Sequence, residues 1–244
     1  MIFGAILAGG TGSRMSNHKI PKQFIDLCGK PIIIHTIEKM LSVKEFEYII
    51  IAIHPDYFEY LDNLFNTFKI NTNRIVTVSG GKERIDSIQN VIDGILKISK
   101  NPDDIIVMHD AVRPFVSKRI LKDSIKTASE YGACVATVPA VDTMYVLDET
   151  GYIAHFPNRK TLFNGQAPDS FKMGILVNSI NSLTEDERKT ITGTVQICSA
   201  KGHKIKTIKG DYKNIKITTE NDLAIAEGIL KEEINESLCL NSKK

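Results

Sequence analysis

The chain has 244 residues, a formal net charge of +2 and 42% hydrophobic residues, which suits one large α/β domain with a sizeable core. Near-neutral charge leaves no basic face for nucleic acid, and no apolar run is long enough to span a bilayer. Four scattered cysteines and six histidines show no disulfide or zinc spacing and no leader pattern opens the chain, so reduced thiols in the cytoplasm are expected.

The first element is a strand, IFGAIL, ending at Ala8-Gly9-Gly10. Small residues there let backbone approach a ligand closely. Thr11 and Gly12 continue the loop, and Arg14, Lys19 and Lys22 place cations beside it. Bare N–H groups with cations suit a polyphosphate. Pro21 stiffens the presentation of Lys22. The P-loop string is absent, and Met15 stands where a dinucleotide fingerprint needs a third glycine. The blander alternative is a strand-to-loop turn with solvated charges.

Beyond Pro31, Ile33, Ile37, Met40 and Leu41 recur at helical spacing. Tyr48 to Ile53 reads as a strand buried on both faces, and Asp56 to Phe68 as a helix. Ile75 to Val78 is a strand that stops at Ser79-Gly80-Gly81. A helix follows with Ile85, Ile88, Ile92 and Ile95 on one face. Gly80 and Gly81, with Lys82, Arg84 and Ser87, therefore mark a helix N-terminus able to hold an anion or a polar edge, or else an ordinary tight turn.

Asp104 to Met108 is a strand running into His109-Asp110-Ala111-Val112-Arg113-Pro114. An acid and a cation at a strand's carboxyl end is where ligands bind in open α/β sheets. Asp110 suits Mg²⁺ as a lone carboxylate beside substrate phosphates, and Arg113 suits a phosphate fork. His109 is either a base or a packed hydrogen-bonder. Ser117 caps a helix reaching Tyr131, and Ala133 to Val138 is a fifth strand. The strand–helix alternation predicts a mainly parallel sheet.

The pattern then breaks. Asp142 to Val146 and Tyr152 to Phe156 flank a turn, Asp148 to Gly151, and form a ribbon that needs a partner surface. Leu162 to Phe171 reads as a loop, Phe171 to Leu183 as a helix, and Thr192 to Ala200 is ambiguous. Lys204 to Lys209 and Asn214 to Thr218 read as strands. A final helix spans Thr219 to Glu232, with Thr219 and Asp222 as a capping box. The expected organisation is one domain over 1–236, an arm at about 142–162 and a flexible tail at 237–244.

LAGGTGSRM, PKQF, GGKERIDSI, HDAVRPF, Asp142-Thr143, PNRKTLFNGQAP and NIKIT stand in the order and spacing of one family. The chain resembles the cytidylyltransferases that act on methylerythritol 4-phosphate and ribitol 5-phosphate, over about residues 2 to 230. Asn158-Arg159 … Gly165-Gln166 and the NIKITT ending look more like the ribitol phosphate branch.

That resemblance implies a Rossmann-like nucleotidyltransferase fold and a homodimer with exchanged β-arms. It implies Mg²⁺ and the joining of CTP to D-ribitol 5-phosphate, giving CDP-ribitol and pyrophosphate for a wall or capsule polymer. Alternatives are the methylerythritol phosphate reaction of isoprenoid synthesis, or a CTP-binding module without turnover. By resemblance, Ala8, Gly9, Gly10, Thr11, Gly12, Gly81 and Ser87 surround the nucleotide, Arg14 and Lys22 hold its phosphates, and Asp110 serves nucleotide and Mg²⁺. Arg113, Asp142, Thr143, Lys216 and the other subunit's Arg159 form the acceptor side. Ala167-Pro168-Asp169 and Thr192-Gly193 depart from the family's Thr-Pro-Gln and Thr-Asp, and both departures fall in the acceptor half.

Overall fold

Runs of β-branched residues build the centre of the molecule, because such side chains pack well on a pleated surface covered from both sides. The computed structural model describes residues 1–10 and 20–241, with side chains through 235. In chain order, β1 (Ile2–Ala8), α1 (Ile32–Leu41), β2 (Tyr48–Ile53), α2 (Phe58–Thr67), β3 (Ile75–Ser79), α3 (Arg84–Leu96) and β4 (Ile105–Asp110) form the first half. Next come α4 (Lys118–Tyr131), β5 (Ala133–Pro139), the ribbon strands β6 (Val146–Leu147) and β7 (Ile153–His155), and β8 (Phe163–Lys172). The chain closes with α5 (Met173–Asn181), α6 (Glu185–Thr190), α7 (Thr194–Ala200), β9 (Lys206–Lys209) and α8 (Glu220–Asn241).

The seven-stranded sheet has the order β3-β2-β1-β4-β8-β5-β9. All neighbours are parallel except β8, which is antiparallel to β4 and β5. One face carries Ile33, Ile37, Leu61, Ile120 and Leu121 of α1, α2 and α4. The other carries Ile88, Ile92, Leu176 and Ile197 of α3, α5 and α7. The alternating β–α pattern therefore produces the expected α/β nucleotidyltransferase-like architecture. Among the described residues no helix is long and apolar enough to cross a membrane.

Three local expectations change. Leu162 to Phe171 contains Gly165 and Pro168 and carries no alternation, yet it supplies most of β8, between β4 and β5. The β5–β8 register shifts between the pairs Val135–Asp169 and Thr137–Gly165, so Pro168 lies in the irregular stretch and takes no regular ladder place. Asn214 to Thr218 joins no strand ladder. Its polar groups go to separate partners: Ile217 N donates to Val112 O at 2.9 Å, while Thr218 N donates to Asp222 Oδ2 at 2.9 Å. Finally, α8 runs on to Asn241, into the expected tail.

Other expectations stand. Thr219 and Asp222 exchange capping bonds of 2.8 and 3.3 Å, and Ser117 Oγ accepts from Ile120 N at 3.3 Å. The ambiguous stretch after Thr192 becomes α7. Before it, Thr184 and Glu187 cap α6, an unanticipated short helix whose S/T-x-x-E signal was present in the sequence.

Candidate active site

The sheet order decides where the site lies. The chain leaves β1 toward β2 on one side and returns to β4 on the other, so a crevice opens at the carboxyl ends of β1 and β4. Parallel pairing sets Leu7 beside Asp110 there. Ala8, Gly9 and Gly10 continue from β1 into the wall of this cleft, with Gly81, Ser87, Lys22, Asp110 and Lys216 around it. Residues far apart in the chain thus meet because each follows a strand end or caps a helix. Thr11, Gly12 and Arg14 lie outside the described residues.

The two glycine turns pack against each other. A Cβ at Gly80 would come within 3.1 Å of Gly9 Cα, and one at Gly81 would lie 2.0 Å from Asp86 Cβ. Larger residues would push the turns apart or block the start of α3. Ser87 Oγ accepts from Gly81 N at 3.0 Å and so ties the second turn to the helix. On the other wall, buried Gln23 donates to Ala8 O at 2.7 Å, which anchors the segment carrying Lys22 to the end of β1. Gln23 belongs to the Pro-Lys-Gln signal, but its anchoring role appears only in three dimensions.

Asp110 is the electrostatic centre. Arg84 Nη1 lies 3.0 Å from Oδ1, while Arg113 Nε and Lys216 Nζ lie 3.2 and 3.1 Å from Oδ2. Burial alone would raise this carboxyl's pKa; Arg84, Lys216 and Arg113 together hold it well below the usual carboxylate range. Three cations on one carboxylate leave an excess of positive charge, and Lys22 adds to it across the cleft. Arg113 is fixed further by its Nη1 bond to Asn214 O at 2.8 Å. Asn214 Nδ2 in turn donates to Ala167 O at 2.7 Å. The NIKIT segment therefore brings up Lys216 and also braces Arg113, without being a strand.

The sequence marks Arg84 as a first-turn cation at a candidate anion site, but not its pairing with Asp110. Its reach to Asp110 depends on how α3 packs over β4.

His109 takes the packed role. It is fully buried, and its Nε2 lies 3.0 Å from Arg113 O. Burial lowers its pKa to about 4, so at neutral pH it is uncharged and Nε2–H donates to that carbonyl. This holds the turn carrying Arg113. Cys134 and Cys198 are buried free thiols, pushed up to about 12 and about 11 by burial, which suits packing and not nucleophilic chemistry.

The structure does not bring Asp142, Thr143 and Arg159 to this cleft within one subunit. They lie exposed on the arm, where Arg159 Nη1 donates to Val141 O at 3.3 Å. Among the described residues there is no cluster of three or more His, Cys, Asp or Glu able to cage a metal. Asp110 could serve an ion only as a single carboxylate sharing it with a bound ligand, which is how Mg²⁺ is commonly held beside phosphates.

Comparison with known proteins gives the family and the fold. Residues 2–232 match the family described as IspD, 2-C-methyl-D-erythritol 4-phosphate cytidylyltransferase. A 4-diphosphocytidyl-2C-methyl-D-erythritol synthase from Anaerococcus prevotii is 25% identical, with a TM-score of 0.78 over 94% of this chain and 96% of its own. The 2-C-methyl-D-erythritol 4-phosphate cytidylyltransferase of Francisella tularensis is 26% identical, with a TM-score of 0.76 over 92% and 97%. The Thermus thermophilus enzyme of that name, at 21% identity and a TM-score of 0.72 over 95% and 100%, shares the fold.

Proposed function

This chain belongs to the IspD cytidylyltransferase family, and from that premise we propose that it transfers a cytidylyl group from CTP to the phosphate of a sugar alcohol, with 2-C-methyl-D-erythritol 4-phosphate as the acceptor. The observation that carries the reading is the convergence of Arg84, Arg113 and Lys216 on Asp110, beside two glycine turns and Lys22. The names of the structural relatives support this choice of acceptor.

An acceptor phosphate oxygen would bond to the α-phosphorus of CTP as the bond to the β-phosphate oxygen breaks and pyrophosphate departs. A phosphomonoester has its second pKa near 6 and is largely dianionic at neutral pH, so the nucleophile needs no strong base. This agrees with a neutral, packed His109. The difficulty is bringing two polyanions together and holding the charge that builds on the leaving group. Lys22 and the loop before it are assigned to the CTP phosphates, Arg113 and Lys216 to the acceptor phosphate. Asp110 would hold Mg²⁺, whose charge would offset part of that on the phosphates.

A second acceptor, ribitol 5-phosphate, is favoured by one observation: the spelling Asn158-Arg159 … Gly165-Gln166 and Asn214 to Thr219. The proposal includes a homodimer, in which the arm of one subunit carries Arg159 to the other's acceptor side. Exposed Tyr145, Tyr152, Ile153 and Phe156 on an otherwise unsupported ribbon support it. Free thiols and a nucleotide substrate fit a cytoplasmic setting.

The deciding experiment is pyrophosphate release with CTP and Mg²⁺, with each acceptor supplied separately. Turnover with methylerythritol phosphate alone is expected. Turnover with ribitol phosphate alone would transfer the assignment to the second acceptor. CTP binding without release for either would leave a nucleotide-binding module.

A further inference from the structure

Close to the Asp110 cluster stands a second carboxylate that forms no ion pair with a described residue. Asp169 of β8 is paired with Met108 in the antiparallel ladder between β8 and β4. Paired residues point to one face of a sheet, and alternate residues of a strand share it. Met108, Asp110 and Asp169 therefore face the same layer, the one in which Met108 packs with α3, α5 and α7. Asp169 is half-buried, and its carboxylate makes no hydrogen bond or ion pair with a described residue.

Other polar groups on this side also lack partners. Arg84 Nε and Thr194 Oγ1 are buried without a hydrogen bond, and Thr194 is fully enclosed at the start of α7. Asp169 feels Asp110, Arg84, Arg113 and Lys216, and its charge reaches Cys198, one turn beyond Thr194 on α7. Such groups are costly to leave unpaired. Burial and then Asp110 push the Asp169 carboxyl up to about 7, against the pull of Arg84, Arg113 and Lys216. A carboxylate at that place repels a phosphate but accepts readily from a neutral hydroxyl. An acceptor with its phosphate on the cations would thus turn its hydroxyl-bearing chain toward the side of the sheet that Asp169 faces.

We propose that Asp169 is a specificity-determining residue of the acceptor site, accepting a hydrogen bond from a hydroxyl of the polyol whose phosphate rests on Arg113 and Lys216. This rests on the reading of the cleft as a polyol-phosphate cytidylyltransferase site.

The test compares the full chain with Asp169→Ala and Asp169→Asn in the pyrophosphate-release assay, varying CTP and each polyol phosphate in turn. Asp169→Ala should raise the acceptor KM about tenfold or more, as expected for a lost hydrogen bond to a charged group, with the CTP KM unchanged. Asp169→Asn keeps an acceptor oxygen and should recover part of that loss. An unchanged acceptor KM in Asp169→Ala overturns the assignment. So does a parallel rise in both KM values with a lowered Tm, which would mean that Asp169 only supports the fold. No release by the unaltered protein with either polyol phosphate overturns the functional reading itself, and this assignment with it. Release by the unaltered protein with unchanged acceptor KM in the variants overturns the assignment alone.

Discussion

The cleft and the arm are built on opposite principles. The cleft grows out of the core: β1 and β4 are buried along most of their length, and their ends deliver the glycine turn and Asp110 into one crevice. Asp110 meets three cations, and Arg113 holds both Asp110 and Asn214 O, so the electrostatics are preorganised within the chain. The arm is a two-strand ribbon, β6 and β7, with Tyr152 76% and Phe156 69% exposed. A ribbon of that size is not stable alone. The cleft is braced by contacts within the chain; the arm presents an exposed apolar surface, which suits the proposed second subunit.

The contrast predicts where damage is greatest. Lys216→Ala or Lys22→Ala removes a cation from a preorganised site, and kcat/KM in the pyrophosphate-release assay should fall about a hundred- to a thousandfold with little change in fold. Near-normal turnover in both variants would dissolve the cleft as the centre of chemistry. Arg84→Ala should give a smaller loss, since Arg113 and Lys216 still hold Asp110.

The buried frame of the cleft should show itself through pH. His109 ordinarily titrates near 6.5 and in the fold near about 4. Between these values the unfolded chain takes up a proton that the folded one refuses. Stability from this group is therefore lost as pH falls through that window, by up to about 3 kcal/mol. Asp169 acts in the opposite sense. Its folded value of about 7 lies above the ordinary 3.8, so its contribution is present at low pH and lost as pH rises toward 7. In the native protein the two partly cancel. Thermal unfolding of His109→Gln from pH 4 to 7 should separate them, with the variant's Tm gaining on the native protein as pH falls. A constant offset across the range would contradict a neutral, buried His109.

The arm should respond differently. Phe156→Asp places a charge on the exposed apolar ribbon and should shift the protein to a monomer in sedimentation velocity. The acceptor KM should rise about tenfold with CTP binding retained, because a charged group delivered by the partner is lost. Unchanged mass and unchanged acceptor KM would mean that the arm serves no second subunit. Ser117→Ala removes the cap of α4 and should cost only about 1 kcal/mol in chemical denaturation, with activity intact. It serves as the baseline for a purely structural change.

Much of this molecule is legible in the chain itself. The continuous apolar runs of β1, β2 and β4, the amphipathic α1 and α3, and the glycine pairs at 9–10 and 80–81 each depend on neighbours within a few residues. Local spacing therefore suffices to place them, and with them the glycine-lined wall of the cleft. Tertiary structure alone decided the rest. β8 carries a glycine and a proline and lacks a strand's alternation; it is a strand because β4 and β5 leave one place between them. NIKIT has a strand's composition but braces Arg113 instead, since its polar groups find better partners in Val112, Asp222 and Ala167. The joining of Arg84, Arg113 and Lys216 on one carboxylate, and Asp169 beside it without a partner among the described residues, follow from strand order and helix docking. Charges separated by up to 132 positions, Arg84 to Lys216, meet only when the sheet sets their elements side by side.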